Sequence, residues 1–195
     1  AVRDSSGYFD SLGGLFTFPS RINGSVLFPS QDSALHVLRS VSTATTPASA
    51  QWDTVALGAA ASTYACGFGT AVAVGCANGT IVVLDTANFV PVDTIELSGP
   101  SPVTALAAWS GPDTLIAVQH NGVVSRCVVG GGEPDTVRVG TQGIGPYTLA
   151  SGDCDNDGGF EIVVCDIKQG LWLYETDLTP GRGWSDEPND WPDFY

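Results

Sequence analysis

The sequence predicts an all-β, β-propeller-like chain of about four blades, each of four antiparallel strands, and three observations carry that expectation. Two short apolar runs around a polar turn recur four times, with a period of about 45 residues. Glycine fills 24 of the 195 positions, which suits many tight turns and weakens helix interiors. No helical spacing of apolar residues persists for three turns anywhere in the chain.

The four recurring segments are residues 25–39, 71–85, 114–129 and 161–175. Anchored on Leu27, Val74, Val118 and Val164, they step by 47, 44 and 46 residues. Asn78-Gly79 and Asn121-Gly122 read as two-residue hairpin turns with both residues at positive φ, and Gly170 takes a similar part in the fourth segment. Further strands are expected at 54–58 and 91–97 around the second segment, at 103–109 and 135–139 around the third, and at 147–150 before the fourth.

The inner runs 71–74, 81–84 and 162–164 are almost continuously apolar, as strands covered on both faces are. The run 92–97 alternates instead, as an outer strand with one wet face does. A β-sandwich of hairpins is the alternative architecture, although it has no need of so even a period.

Composition bounds the partners. Seven Lys and Arg against 21 Asp and Glu give a net charge of −14, with Lys168 the only lysine. A surface this acidic repels phosphate backbones and anionic lipid, so neither nucleic acid nor a membrane surface is an expected partner. No 18-residue apolar run is present. The chain contains no Met and begins at Ala1, so it reads as a processed chain or a fragment. Five cysteines, Cys66, Cys76, Cys127, Cys154 and Cys165, contain no CxxC pair, which argues against zinc or haem. Two disulfides, or buried free thiols in strands, both remain open on this reading.

The sharpest local motif runs from Asp153 to Glu161. Asp153, Asp155 and Asp157 occupy loop positions 1, 3 and 5, Gly158 follows at position 6, and Glu161 stands at position 9. Alternate side chains of a tight loop turn toward one centre, and calcium takes about 6–8 oxygen ligands. Three Asp carboxylates, the Glu161 carboxylate and a backbone carbonyl near Gly159 form such a donor set. An EF-hand is excluded, since position 12 is Val164 and a strand follows the loop. An Asx-rich turn with no ion is the plainer alternative.

With these residues, the stretch 147–175 resembles FG-GAP/VCBS-type repeats, the calcium-bearing blades of integrin-like propellers and of many secreted bacterial proteins. The shared pattern is Gly-Asp-x-Asp-x-Asp-Gly-x-x-Asp/Glu before an aliphatic strand, met here at Gly152, Asp153, Asp155, Asp157, Gly158 and Glu161. The resemblance implies a blade with Ca²⁺ held between its first two strands. It is confined to the fourth unit, because residues 66–69 and 110–113 lack the Asp ladder.

Three stretches are expected: a 1–20 N-terminal arm or closing strand, propeller blades over 21–177, and an acidic, aromatic tail over 178–195. The fourth unit lacks an outer strand, and residues 13–18 could supply one to their own chain or to a neighbouring copy. Leu15, Phe16 and Phe18 of the arm, with Trp184 and Trp191 of the tail, are the candidate assembly residues. Asn23 and Asn78 head glycosylation sequons. His36 and His120 read as surface or turn residues, and no catalytic motif is present.

The expected function is a non-catalytic, calcium-binding module that is secreted or on the cell surface, and bacterial. It would bind other proteins, copies of itself or surface glycans, in one version as a fibre subunit through terminal strand exchange. An accessory or partial domain of a secreted polysaccharide-acting enzyme is the alternative. A cleft joining Glu133 or Asp135 to another carboxylate would favour it. A soluble ligand-binding propeller with a polar funnel is the third reading.

Overall fold

The computed structural model describes residues 17–42, 49–109, 111, 113–139, 147–153, 160–166, 170–175 and 178. Apolar runs broken by turn residues fold into successive antiparallel meanders. The first sheet is β1 (Ser20–Ile22), β2 (Ser25–Pro29), β3 (Ala34–Ser42) and β4 (Ser49–Ala56). The second is β5 (Cys66–Phe68), β6 (Ala71–Gly75), β7 (Thr80–Asp85) and β8 (Pro91–Glu96). The third is β9 (Val103–Ala108), β10 (Thr114–Gln119), β11 (Val123–Val128) and β12 (Asp135–Arg138). The fourth has three strands among the described residues: β13 (Tyr147–Gly152), β14 (Glu161–Asp166) and β15 (Gly170–Tyr174).

The sheets stack in chain order as blades. Leu27, Leu35 and Val37 of the first pack on Val72, Val74, Val82 and Leu84 of the second. Ala73, Ile81, Val83 and Ile95, on the opposite face of the second, pack on Leu106, Leu115 and Ala117 of the third. Ile116, Val118 and Val124 then meet Ile162, Val164 and Tyr174 of the fourth. Alternate residues of one strand thus face different neighbours. That is why runs such as 71–74 carry no polar position, and each large aliphatic buried there contributes about 1.5–3 kcal/mol. The first strands β5, β9 and β13 touch in sequence, so they form the inner wall and the later strands lie outward. This is a β-propeller-like arrangement; a two-sheet sandwich does not cover its inner sheets twice. Among the described residues no helix is long and apolar enough to cross a membrane.

One turn design recurs between the second and third strands. Asp32, Asn78 and Asn121 each accept, through Oδ1, the backbone N–H two residues on, from Ala34, Thr80 and Val123. The next residue sits at positive φ: Ser33 at 68°, Gly79 at 86° and Gly122 at 80°. Its carbonyl accepts the N–H of the residue that follows the blade's outer strand, Leu57, Leu97 and Val139 respectively.

The structure corrects four expectations. Asn78 and Asn121 are not at positive φ, because their turns are four residues long, with Gly79 N–H donating to Cys76 O and Gly122 N–H to Gln119 O. The two-residue turn with both φ positive is Asn23-Gly24, at 47° and 80°. Residues 54–56 belong to β4, the outer strand of the first blade, where His36 pairs with Thr54 and Leu35 with Val55. They do not begin the second blade. The first strand of that blade, the Ala61–Cys76 bridge followed by β5, lies in a stretch where the sequence predicts no strand. His36 is 2% exposed within β3, its Nε2 3.0 Å from Asp32 Oδ2 and its Nδ1 3.4 Å from Thr54 Oγ1. His120 is exposed in its turn, as expected.

Residues 62–65 interrupt the first strand of the second blade between the Ala61–Cys76 bridge and β5. They knit three blades together near the inner wall. Ser62 Oγ donates to Val103 O at 2.7 Å, and Tyr64 Oη to Leu106 O at 2.6 Å. Thr17 Oγ1 donates to Thr63 O at 2.9 Å.

Candidate functional site

The loop singled out by its carboxylates leaves β13 at Gly152 and enters β14 at Glu161, and these two residues are the last pair of the ladder. Eight residues, 153–160, lie between the strands. The equivalent connections are Asn23-Gly24 in the first blade, Gly69-Thr70 in the second and residues 109–113 in the third. The fourth blade therefore carries an insertion between its first two strands, at the place where the Asp ladder falls.

Two of the five candidate ligands lie in the described residues. Asp153 is exposed just beyond the final pair, and Glu161 is 1% exposed at the first position of β14, beside the fully buried Ile162. Asp155, Asp157 and Gly159 fall outside the described residues. The base of the loop is anchored to the third blade twice. Ser151 Oγ donates to Ala108 O at 2.9 Å, and Phe160 meets Trp109 edge to face at 6.4 Å. A carboxylate sunk at the root of a loop is costly unless charge or hydrogen bonds compensate it. An oxygen-only donor set with that buried member suits a hard cation such as calcium. Among the described residues no three His, Cys, Asp or Glu side chains form a group that could hold a metal ion, and the rest of the candidate set lies outside them.

The other candidate residues are scattered. Phe18 is 82% exposed, next to Thr17, whose N–H donates to Pro29 O at 2.9 Å. Leu15, Phe16, Trp184 and Trp191 lie outside the described residues. Asn23 is exposed, but its Nδ2 donates to Thr86 O across to the second blade at 3.2 Å. Asn78 is exposed, and its Oδ1 accepts from Thr80 Oγ1 at 2.8 Å. Cys66, Cys76 and Cys127 are buried free thiols, and Cys165 is exposed on β14. Burial pushes the Cys127 thiol up to about 12.

Sequence reasoning did not find the groove between the outer parts of the second and third blades. It encloses about 590 Å³ and is lined by Asp93, Glu96, Val128, Gly131, Glu133 and Thr136, among others. Its walls are tied by Asp93 Oδ2, which accepts the Gly130 N–H at 2.8 Å. Asp93 Oδ1 accepts the Thr94 N–H at 2.8 Å, so this carboxylate is engaged in holding backbone. Glu96 and Glu133 are exposed. The signal in the sequence was Gly130-Gly131-Gly132-Glu133, which reads as a plain loop until its position opposite β8 is known.

No protein-family model matches the sequence, and no curated protein matches it. Solved structures do. The computationally designed Ika4 protein is 15% identical at a TM-score of 0.61, over 85% of this chain and 94% of that one. Sqt1 from Saccharomyces cerevisiae is 18% identical at 0.63, over 87% of this chain and 48% of that one. The WD40 repeats of RRP9 are 12% identical at 0.58, over 83% and 51%. This chain thus spans about half the length of the two natural proteins. At these identities the likeness is one of fold, and that fold is the propeller.

Proposed function

We propose that this chain is a calcium-stiffened propeller module that binds other proteins, or further copies of itself, outside the cell and without catalysis. The observation that supports it most is the insertion 153–160, closed by the Gly152–Glu161 pair, with the Glu161 carboxylate buried at its root. Asp153, Asp155, Asp157, the Gly159 carbonyl and Glu161 would hold the ion. Bound calcium would neutralise the crowded carboxylates and cross-link the loop. On this reading the fourth blade is of the FG-GAP/VCBS type. The likeness to WD40 scaffolds supports an interaction module in general. The sheet β13–β15 leaves β15 as an edge among the described residues, which supports completion by a terminal strand.

The test is thermal unfolding in millimolar calcium against EDTA, with D155N and D157N as comparators. Extracellular calcium sites have Kd near ~10⁻⁴–10⁻³ M, so saturation adds at most a few kcal/mol. A melting point that rises with calcium in the parent and not in the variants is expected. Equal melting in calcium and EDTA would remove the site. The groove lends weight to a second reading, since Glu133 lines it together with Asp93 and Glu96. Release of reducing sugar from polysaccharides, abolished in E133Q, would establish that reading.

A further inference from the structure

We infer that the groove between the second and third blades is a docking site for an extended, Arg- or Lys-bearing segment of a partner protein. This deepens the interaction reading by naming the partner's chemistry, and it does not depend on calcium. The groove is built from well-anchored backbone. The Asp93–Gly130 hydrogen bond joins its walls, and the Gly131 N–H donates to Val128 O at 2.9 Å. A Cβ on Gly131 would come within 2.8 Å of Val128 O, so this tight turn requires a residue without a side chain.

The recognition chemistry follows from the lining. Glu96 and Glu133 present exposed carboxylates, and no Lys or Arg is among the described residues that line the groove. Neighbouring Asp135, by contrast, is already paired with Arg126. Val128 is 48% exposed inside the groove, so an apolar contact accompanies the charges. A cationic side chain with an apolar neighbour satisfies both. Simple strand addition along β8 is disfavoured, because Asp93 already caps the Thr94 N–H on that edge strand. Side chains seated in the groove would therefore carry the recognition.

The probe is a fluorescein-labelled nonapeptide alternating Arg and Val, titrated by anisotropy against the full chain, with a Glu-for-Arg peptide as control. Binding of the Arg peptide alone is expected, weakened at least tenfold in the E96Q/E133Q double variant and weakened by added salt. D113N, which removes an exposed acid from the β9–β10 connection outside the groove, should leave affinity unchanged. V128S should reduce affinity without altering the salt dependence. Failure to bind, or equal weakening by D113N, would overturn the proposal, the latter because it marks diffuse attraction to an acidic surface. D155N separates the two readings: loss of the calcium response with peptide binding retained is expected.

Discussion

Arg39 lies with its guanidinium 5.1 Å from the centre of the Phe89 ring, joining the first blade to the second. Arg39 is the extra residue of a β-bulge, since Leu38 pairs with Trp52 and Ser40 with Gln51. A bulge re-aims a side chain, and here it sends Arg39 across the blade boundary. There Nη1 and Nη2 donate to Ala87 O and Asn88 O at 3.3 and 2.9 Å, while Nε pairs with Asp53. Phe89 meets it at a φ of 57°, and Asp85 holds that loop by accepting the N–H groups of Ala87 and Asn88 at 2.8 Å each.

Replacing Arg39 with Ala should cost about 2 kcal/mol, since a partly exposed stacking contact and its hydrogen bonds each contribute about 0.5–1. Urea unfolding measures this. R39K should recover less than half, because a lysine cannot stack and fork at once.

Substitution at the positive-φ residues should rank by space as well as by backbone strain. A Cβ on Gly79 would lie 2.5 Å from Gly99 O, whereas one on Gly24 would meet nothing within 4 Å. G24A is expected to cost about 1 kcal/mol and G79A about 3. Ser33 occupies the equivalent slot at 68°, and S33G should stabilise by about 0.5 kcal/mol. Midpoints of thermal unfolding for the three variants give the order.

Acid should loosen the first blade through Asp32. Burial opposes its ionisation, but hydrogen bonds from Ser30 and His36 and the charge of His36 outweigh this and hold its carboxyl below the usual value of 3.8. A lowered folded-state value means that the stabilisation is complete above about pH 4 and is lost as pH falls through the folded-state value. Below that window D32N should match the parent in stability, and above it D32N should be the weaker of the two. Unfolding midpoints from pH 2 to 7 trace the difference.

Alkylation should separate the folded chain from the unfolded one. Iodoacetamide at pH 8 is expected to spare Cys127 in the folded chain, where burial suppresses its thiolate, and to modify it once the chain is unfolded. Cys66 and Cys76, buried and likewise raised, should be spared too. Peptide mass mapping before and after unfolding reads all three.

The hairpins at 71–85 and 114–129 were legible because two-sided burial removes polar residues from a strand, and few other environments do so. The start of the second blade was not. β5 has three residues and follows the interruption at 62–65, too short a run for any period to emerge, while Val55 and Leu57 imitate an inner strand from an outer one. The repeat anchors fell on equivalent strands but at different heights. Leu27 stands three residues before its turn at Ser30, Val74 two before Cys76, and Val118 one before Gln119. His36 was misjudged because its burial depends on Asp32 and Thr54, and Thr54 reaches it only through the β3–β4 pairing. The carboxylate spacing of the fourth-blade loop was plain, yet the burial of Glu161 at its root required the ladder of β13 and β14.

The hydrogen bonds that run from Leu57, Leu97 and Val139 back to Ser33, Gly79 and Gly122 also bear on the order in which the chain acquires structure. Each closes a blade on a turn from its own short stretch of sequence, so no distant segment has to be found before that closure forms. The entropy lost in each such closure is therefore small. Nascent chain leaving a ribosome could complete one blade and use its exposed face as the template for the next. Amide exchange would then lose protection in blocks the length of one blade, not uniformly across the molecule.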